Sequence, residues 1–114
     1  ERIYSPAYRT CLGQAGMNDH AMANCATAEL GRQDSSLNQV YRQLLTELAD
    51  PARQAALRTS QRAWLQVRDA DCAYRASGEA GGTLEGVIHE GCLLDMTYDR
   101  VQTLKTWLDL EKQF

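Results

Sequence analysis

The sequence predicts an all-α fold, an antiparallel bundle of three long helices with a short N-terminal helix and two disulfides. Apolar residues recur at helical spacing, and no segment shows the period-two alternation of a β-strand. Residues that cap or end helices divide the chain into four segments. A chain of 114 residues has the usual size of one domain, so we expect residues 1–114 to form a single helical domain.

The first two predicted helices occupy the N-terminal half of the chain. The segment SPAYRTCL forms the short helix. Asn18 is the predicted N-cap of the second helix, because asparagine caps well and an apolar stripe runs from Met22 to Leu48. Glycine weakens a helix, so Gly31 is a candidate position for a kink.

The last two helices are separated by the glycine-rich stretch SGEAGGT. Asp50 and Pro51 begin the third helix, because aspartate caps a helix and proline fits its first position. This helix should end at Gly78, where glycine can adopt the left-handed conformation. Thr83 is a candidate cap for the fourth helix, whose first turns contain two glycines and are therefore less certain to be helical.

Charge is unevenly distributed along the chain. Twelve Lys and Arg stand against fifteen Asp and Glu, giving a formal net charge of -3, which disfavours nucleic-acid binding. Residues 77–99 contain five acids and no Lys or Arg, whereas residues 50–68 contain four arginines and one aspartate. A cationic partner could therefore prefer one end of the molecule, but two solvated faces of unequal charge are the simpler interpretation, which we favour. No apolar run approaches the roughly 18 residues of a transmembrane helix.

Four cysteines occur, and no two of them form a C-x-x-C motif. An even count without that motif favours two disulfides in an exported protein over a zinc or redox site. We therefore expect a periplasmic or secreted protein whose signal segment has been removed. Pairing sequence neighbours would close two short loops, each worth about 3 kcal/mol, although two other connectivities remain open. The neighbour pairs are Cys11 with Cys25 and Cys72 with Cys92.

In an antiparallel helical hairpin, the numbers of two residues at the same level add up to a nearly constant value. This relation predicts that several polar residues meet in the middle of the bundle. Such a cluster could bind an anion or hold a general acid. It could instead be a structural polar core whose ion pairs set the helix register. We favour the structural interpretation. The residues are Asp34, Asn38, Gln61, Arg68, Thr97 and Arg100.

Catalytic and cofactor motifs are missing from the sequence. It contains no Ser-His-Asp order, P-loop or dinucleotide fingerprint, so we expect neither an enzyme nor a cofactor. His89 and Cys92 lie three residues apart and are the nearest approach to a metal site. Neither histidine has a ligand at the spacing of a zinc motif, so we predict that the protein holds no metal.

Six motifs follow one another along most of the chain: YRTCL, MANCATAE, DSSLNQVYRQLL, RAWLQVRDADC, GGT and GCLLDMTYDRVQTL. Their order resembles the DUF1311 family, named for the lysozyme inhibitor LprI. The resemblance implies a small, exported, cysteine-bridged helical domain of bacterial envelopes, with lysozyme inhibition as a proposed activity. Beside the four cysteines, the matching positions are Leu37, Asn38, Tyr41, Trp64, Arg68, Asp69, Gly81, Gly82, Thr97 and Arg100.

The partner implied by this resemblance is a cationic lysozyme. The alternative function is a non-catalytic scaffold or accessory protein of the bacterial envelope, which would bind another envelope protein. Complementary charge speeds the encounter of two proteins and sets their orientation. We therefore predict that the acidic residues Glu79, Glu85 and Glu90 form the contact surface.

Overall fold

A computed structural model of the protein describes residues 1–113. These residues form four helices, which are α1 (Pro6–Ala15), α2 (Asp19–Glu47), α3 (Pro51–Ser77) and α4 (Leu84–Lys112). No strand occurs among these 113 residues. Disulfides join Cys11 to Cys25 and Cys72 to Cys92, with Cα–Cα distances of 5.7 and 5.5 Å. The predicted fold class and the neighbour pairing of the cysteines are confirmed.

The first three helices begin at residues whose side chains satisfy backbone N–H groups. Ser5 accepts from the Tyr8 N–H at 3.2 Å, and Asn18 accepts from the Ala21 N–H at 2.9 Å. Asp50 accepts from the Ala52 N–H at 2.9 Å, and proline follows at the first helical position of α3. Each cap occupies one of the donors that the first helical turn cannot satisfy internally.

The predicted bounds of α3 and the predicted start of α4 are confirmed, but two details at these helix ends are wrong. Gly78 is right-handed with a φ of -67°, and the left-handed glycine in this loop is Gly81, with a φ of 82°. Thr83 makes no capping bond; its hydroxyl donates to Asp19 at 2.7 Å instead. Helix α4 is continuous from Leu84, because its packing against α2 outweighs the cost of about 1 kcal/mol per glycine. Helix α2 likewise continues through Gly31.

Helix α4 is the centre of the bundle. It packs most extensively on α2, to which it is parallel, and also on α3, which runs in the opposite direction. The pairs Thr27–Glu90 and Arg53–Glu111 show these two directions. Helix α1 packs on α2. The main apolar cluster comprises Leu37, Val40, Leu44, Leu48, Leu57, Val101, Leu104 and Leu108.

Residues 1–5 form an N-terminal arm that crosses to the middle of α4. The Arg2 guanidinium donates two bonds of 3.0 Å to the Asp99 carboxylate. The Ile3 N–H donates to the Tyr98 hydroxyl at 3.1 Å, and the Tyr4 hydroxyl donates to Asp95. The arm therefore ties the start of α1 to α4. Within residues 1–113, none of the helices has the length and apolar character needed to cross a membrane.

Candidate functional site

Arg68 lies on α3 between α2 and α4, with 15% of its side chain exposed. Its Nη1 donates to the buried Thr97 hydroxyl at 3.3 Å and lies 3.9 Å from an Asp34 oxygen. Its Nε and Nη2 each lie 3.0 Å from Asp69. The side chains of Asp34 and Asp69 are 47% and 64% exposed, so both carboxylates of this ion-pair cluster remain in water.

Arg100 forms a second polar contact, between α4 and α3. Its Nε donates to the Gln61 side-chain oxygen at 3.0 Å, and its Nη2 donates to the Ser60 hydroxyl at 3.1 Å. Its guanidinium carbon lies 5.6 Å from the Trp64 ring centroid and 5.0 Å from that of Trp107. Burial lowers the pKa of the Arg100 guanidinium. A cation over an aromatic face is attracted by the negative face of the ring.

The predicted polar residues therefore form two groups, with Trp64 between them. Arg68 also stacks on Trp64, at 5.4 Å, so Arg68, Trp64, Arg100 and Trp107 form an arginine–tryptophan ladder. Asn38 is exposed and lies outside both groups. The contact between Trp107 and Arg100 was not predicted from the sequence. The spacing of seven residues between Arg100 and Trp107, two helical turns, was the available signal.

A cleft of about 450 Å³ separates α2 from α3 on the side where Arg68 is exposed. Burial raises the pKa of the Asp34 carboxyl, and the neighbouring Arg68 partly opposes that shift. The cleft carries more basic than acidic side chains. Its lining residues are Asp34, Leu37, Asn38, Tyr41, Arg58, Gln61, Arg62, Leu65 and Arg68.

The predicted acidic contact residues lie towards the end of the bundle that holds the α3–α4 loop. Glu79 is exposed in the loop, and Glu85 is partly buried in the first turn of α4. Asp19 lies at the same end of the bundle, because the parallel helices α2 and α4 both begin there and Asp19 accepts a hydrogen bond from Thr83. Glu90 lies further along α4, where it accepts from the Thr27 hydroxyl and pairs with the preceding residue, His89. Glu90 is therefore less available to a partner than Glu79.

Glu29 is a buried carboxylate that was not predicted from the sequence. Its side chain is 0% exposed and accepts from the Ser5 N–H and hydroxyl, at 2.9 and 2.6 Å, and from Arg32. Burial alone would raise the pKa of Glu29, but the hydrogen bonds from Ser5 and Arg32 outweigh it and lower the pKa. A glutamate within the apolar stripe, three residues after Ala26, was the available signal.

The alternative metal site at His89 and Cys92 is contradicted, because Cys92 and Cys72 are joined in a disulfide. A disulfide sulfur cannot act as the thiolate ligand that such a site requires. In the part of the chain that the structure describes, no group of three or more His, Cys, Asp or Glu side chains could hold a metal ion.

The family model described as lysozyme inhibitor LprI matches residues 11–104. The chain belongs to the lysozyme inhibitor LprI family. This match begins at the first disulfide cysteine and includes the second disulfide, both groups of polar residues and the α2–α3 cleft. The predicted family is confirmed, and an inhibitor family is consistent with a protein that is not an enzyme.

A similar protein from Rhizobium meliloti (strain 1021) has the description "Uncharacterized protein R02472". It is 30% identical to this LprI-family chain over an alignment of 116 positions, which spans 91% of this chain and 80% of the relative. No solved structure matches the chain.

Proposed function

We propose that this chain is a periplasmic or secreted inhibitor that binds a cationic lysozyme and occludes its substrate cleft. The LprI family match over residues 11–104 is the observation that carries this proposal. Two disulfides support an oxidising location, because disulfides persist outside the cytoplasm and are rare within it.

The contact surface that we propose is the end of the bundle with the α3–α4 loop. Its acidic residues are Asp19, Glu79 and Glu85, with Glu90 at the edge. Exposed apolar side chains lie on the adjoining segments: Met17 before α2, Tyr74 near the end of α3 and Leu84 at the start of α4, at 93%, 79% and 44% exposure. Exposed apolar groups beside charged groups suit a protein interface, which combines an apolar centre with a polar rim.

Electrostatic attraction gives this surface two expected properties. Carboxylates on an exposed loop attract a cationic protein from a distance and orient it during the encounter. Salt screens such charges, with a Debye length of about 10 Å at 0.1 M ionic strength. Inhibition through this surface should therefore be strongest at low ionic strength.

The test is lysozyme-driven clearing of a bacterial cell-wall suspension, followed by turbidity with several lysozyme types. Wild-type protein in excess should slow clearing, and E79Q/E85Q should require about tenfold more protein for the same effect at low salt. The matched control is E47Q/D109N, which removes two exposed acids from the opposite end of the bundle and should inhibit like wild type.

Two results would count against the proposal. Unchanged clearing with every lysozyme type would overturn inhibition and favour the non-catalytic envelope scaffold. Equal inhibition by wild type and E79Q/E85Q would overturn the acidic contact surface while leaving inhibition in place.

A further inference from the structure

Basic side chains line the cleft between α2 and α3, and two of them form no ion pair within residues 1–113. Three guanidinium groups and one carboxylate line its volume of about 450 Å³, which lies within the usual range of small-molecule sites. Arg68 already has Asp69 and Asp34 beside it. The unpaired charges are those of Arg58 and Arg62, which are exposed and form no ion pair within residues 1–113.

Arg58 and Arg62 lie one helical turn apart on the same face of α3. Like charges at this spacing destabilise a helix. No carboxylate of the described chain offsets this cost. Arginine carries several N–H donors in a planar fork that matches carboxylate and phosphate groups, so the pair is suited to an oxyanion.

Gln61 supplies a third donor on this face of α3. It is 9% exposed, and its side-chain oxygen accepts from the Arg100 Nε. Arginine has no acceptor, so the atom that faces Arg100 must be the amide oxygen. The amide Nε2 donates to no atom within residues 1–113. Within residues 1–113, every fully buried polar atom of a side chain has a hydrogen-bond partner. Because the Gln61 Nε2 has no partner, it must be accessible to solvent. Gln61 also lines the cleft.

We propose that the α2–α3 cleft binds a small organic oxyanion, with its carboxylate or phosphate group held by Arg58, Arg62 and the Gln61 amide. Residues 58, 61 and 62 share one helix face, so their donors can converge on a single group. Leu37, Leu65 and Tyr41 line the same cleft and provide contacts for the non-polar part of the ligand.

Asp34 does not oppose an anion at this position. It lies beside Arg68, whose backbone is about 9 Å along α3 from that of Arg62 and about 15 Å from that of Arg58, at about 1.5 Å per residue. An anion at Arg58 and Arg62 is therefore separated from the carboxylate. The site does not depend on lysozyme binding, because the acidic surface lies at the end of the bundle with the α3–α4 loop.

The test is calorimetric titration of the full chain with sodium phosphate and, separately, sodium citrate in a dilute chloride buffer. Either probe should bind saturably at one site, and the probe that binds distinguishes a phosphate from a carboxylate ligand. R58Q/R62Q should weaken binding by about tenfold or more, because it removes two charged hydrogen-bond donors. The control R42Q/K105Q removes the same charge from exposed positions outside the cleft and should change binding by less than about twofold.

Amide NMR spectra locate the bound probe. Shifts confined to residues 37–41 of α2 and 58–65 of α3 support the site. Absence of saturable binding for both probes would overturn the proposal, as would equal weakening in the two double variants. Chemical-shift changes concentrated outside these two segments would show that the probe binds elsewhere and would overturn it too.

Discussion

Ser5 and Glu29 lie 24 residues apart in sequence and are joined by two hydrogen bonds, of 2.9 Å from the Ser5 N–H and 2.6 Å from its hydroxyl. The Ser5 hydroxyl oxygen also caps α1 by accepting from the Tyr8 N–H. One carboxylate therefore orders the N-terminal arm, the start of α1 and the middle of α2 together. A charge in a core is costly unless it is hydrogen-bonded, and here Ser5 and Arg32 satisfy it.

Replacing Glu29 by Gln should destabilise the protein by about 1–3 kcal/mol, although the shape is nearly unchanged. An amide presents an N–H₂ group where a carboxylate oxygen accepted a bond, which leaves a donor facing a donor. Urea unfolding followed by circular dichroism at pH 7 measures this. The control E47Q alters an exposed glutamate near the end of the same helix and should stay within about 0.5 kcal/mol of wild type. Equal stability of the two variants would contradict the role of Glu29.

Stability should fall in acid because the pKa of Glu29 is lowered in the folded protein from its usual value of 4.5. The unfolded chain then binds more protons than the folded chain in this range. The contribution of Glu29 is therefore fully present above the unfolded pKa and is lost as the pH falls through the folded pKa. Unfolding free energies of wild type and E29Q at several pH values between 7 and about 3 should converge on acidification. A constant difference between them would show that ionisation of Glu29 is not responsible.

Local signals predicted the parts of the fold that depend on neighbours in sequence. Asn18 and Asp50 each act within their own first turn, and each disulfide joins cysteines on consecutive helices. The sums of residue numbers across each hairpin placed Arg68, Asp34 and Thr97 in one cluster, because hairpin geometry alone sets which residues lie at the same level.

Long-range contacts made by irregular segments leave no periodic pattern in the sequence, so they could not be predicted from it. Arg2 and Asp99 are 97 residues apart, and nothing in the extended arm indicates which helix it contacts. The continuity of α4 through its glycines also depends on tertiary packing. A Cβ added to Gly86 would lie 3.6 Å from the Ala23 Cβ, so the two helices are in close contact there. Helix propensity takes no account of such a neighbour.

Arg68→Met should change the unfolding free energy by no more than about 1 kcal/mol. Both acidic partners of Arg68 are substantially exposed, so the substitution leaves no buried carboxylate unpaired. The buried Thr97 hydroxyl can donate to the backbone carbonyl one turn earlier in α4, and the lost stacking on Trp64 is worth about 0.5–1 kcal/mol. Denaturant unfolding checks this. A loss of several kcal/mol would mean that Arg68 compensates a buried charge.

Arg100→Lys should cost more than Arg68→Met, roughly 1–3 kcal/mol, despite keeping the charge. Lysine lacks the planar fork with which Arg100 donates to Gln61 and Ser60 and stacks between two tryptophans. The same variant should change tryptophan fluorescence, because Trp64 and Trp107 both lose their contact with the Arg100 guanidinium. Unfolding and emission spectra of the two variants give the comparison. Equal losses and an unchanged spectrum would show that the ladder contributes nothing specific at Arg100.

The two disulfides should differ in their resistance to reduction. Cys72 and Cys92 are 0% and 3% exposed, whereas Cys11 is only partly buried in the short helix α1. Thiol attack needs access to a sulfur, so a mild reductant without denaturant should open Cys11–Cys25 first. Alkylation followed by peptide mass spectrometry identifies the order. Simultaneous reduction of both bridges, even at the mildest conditions, would indicate that α1 and the bundle open together as one cooperative unit.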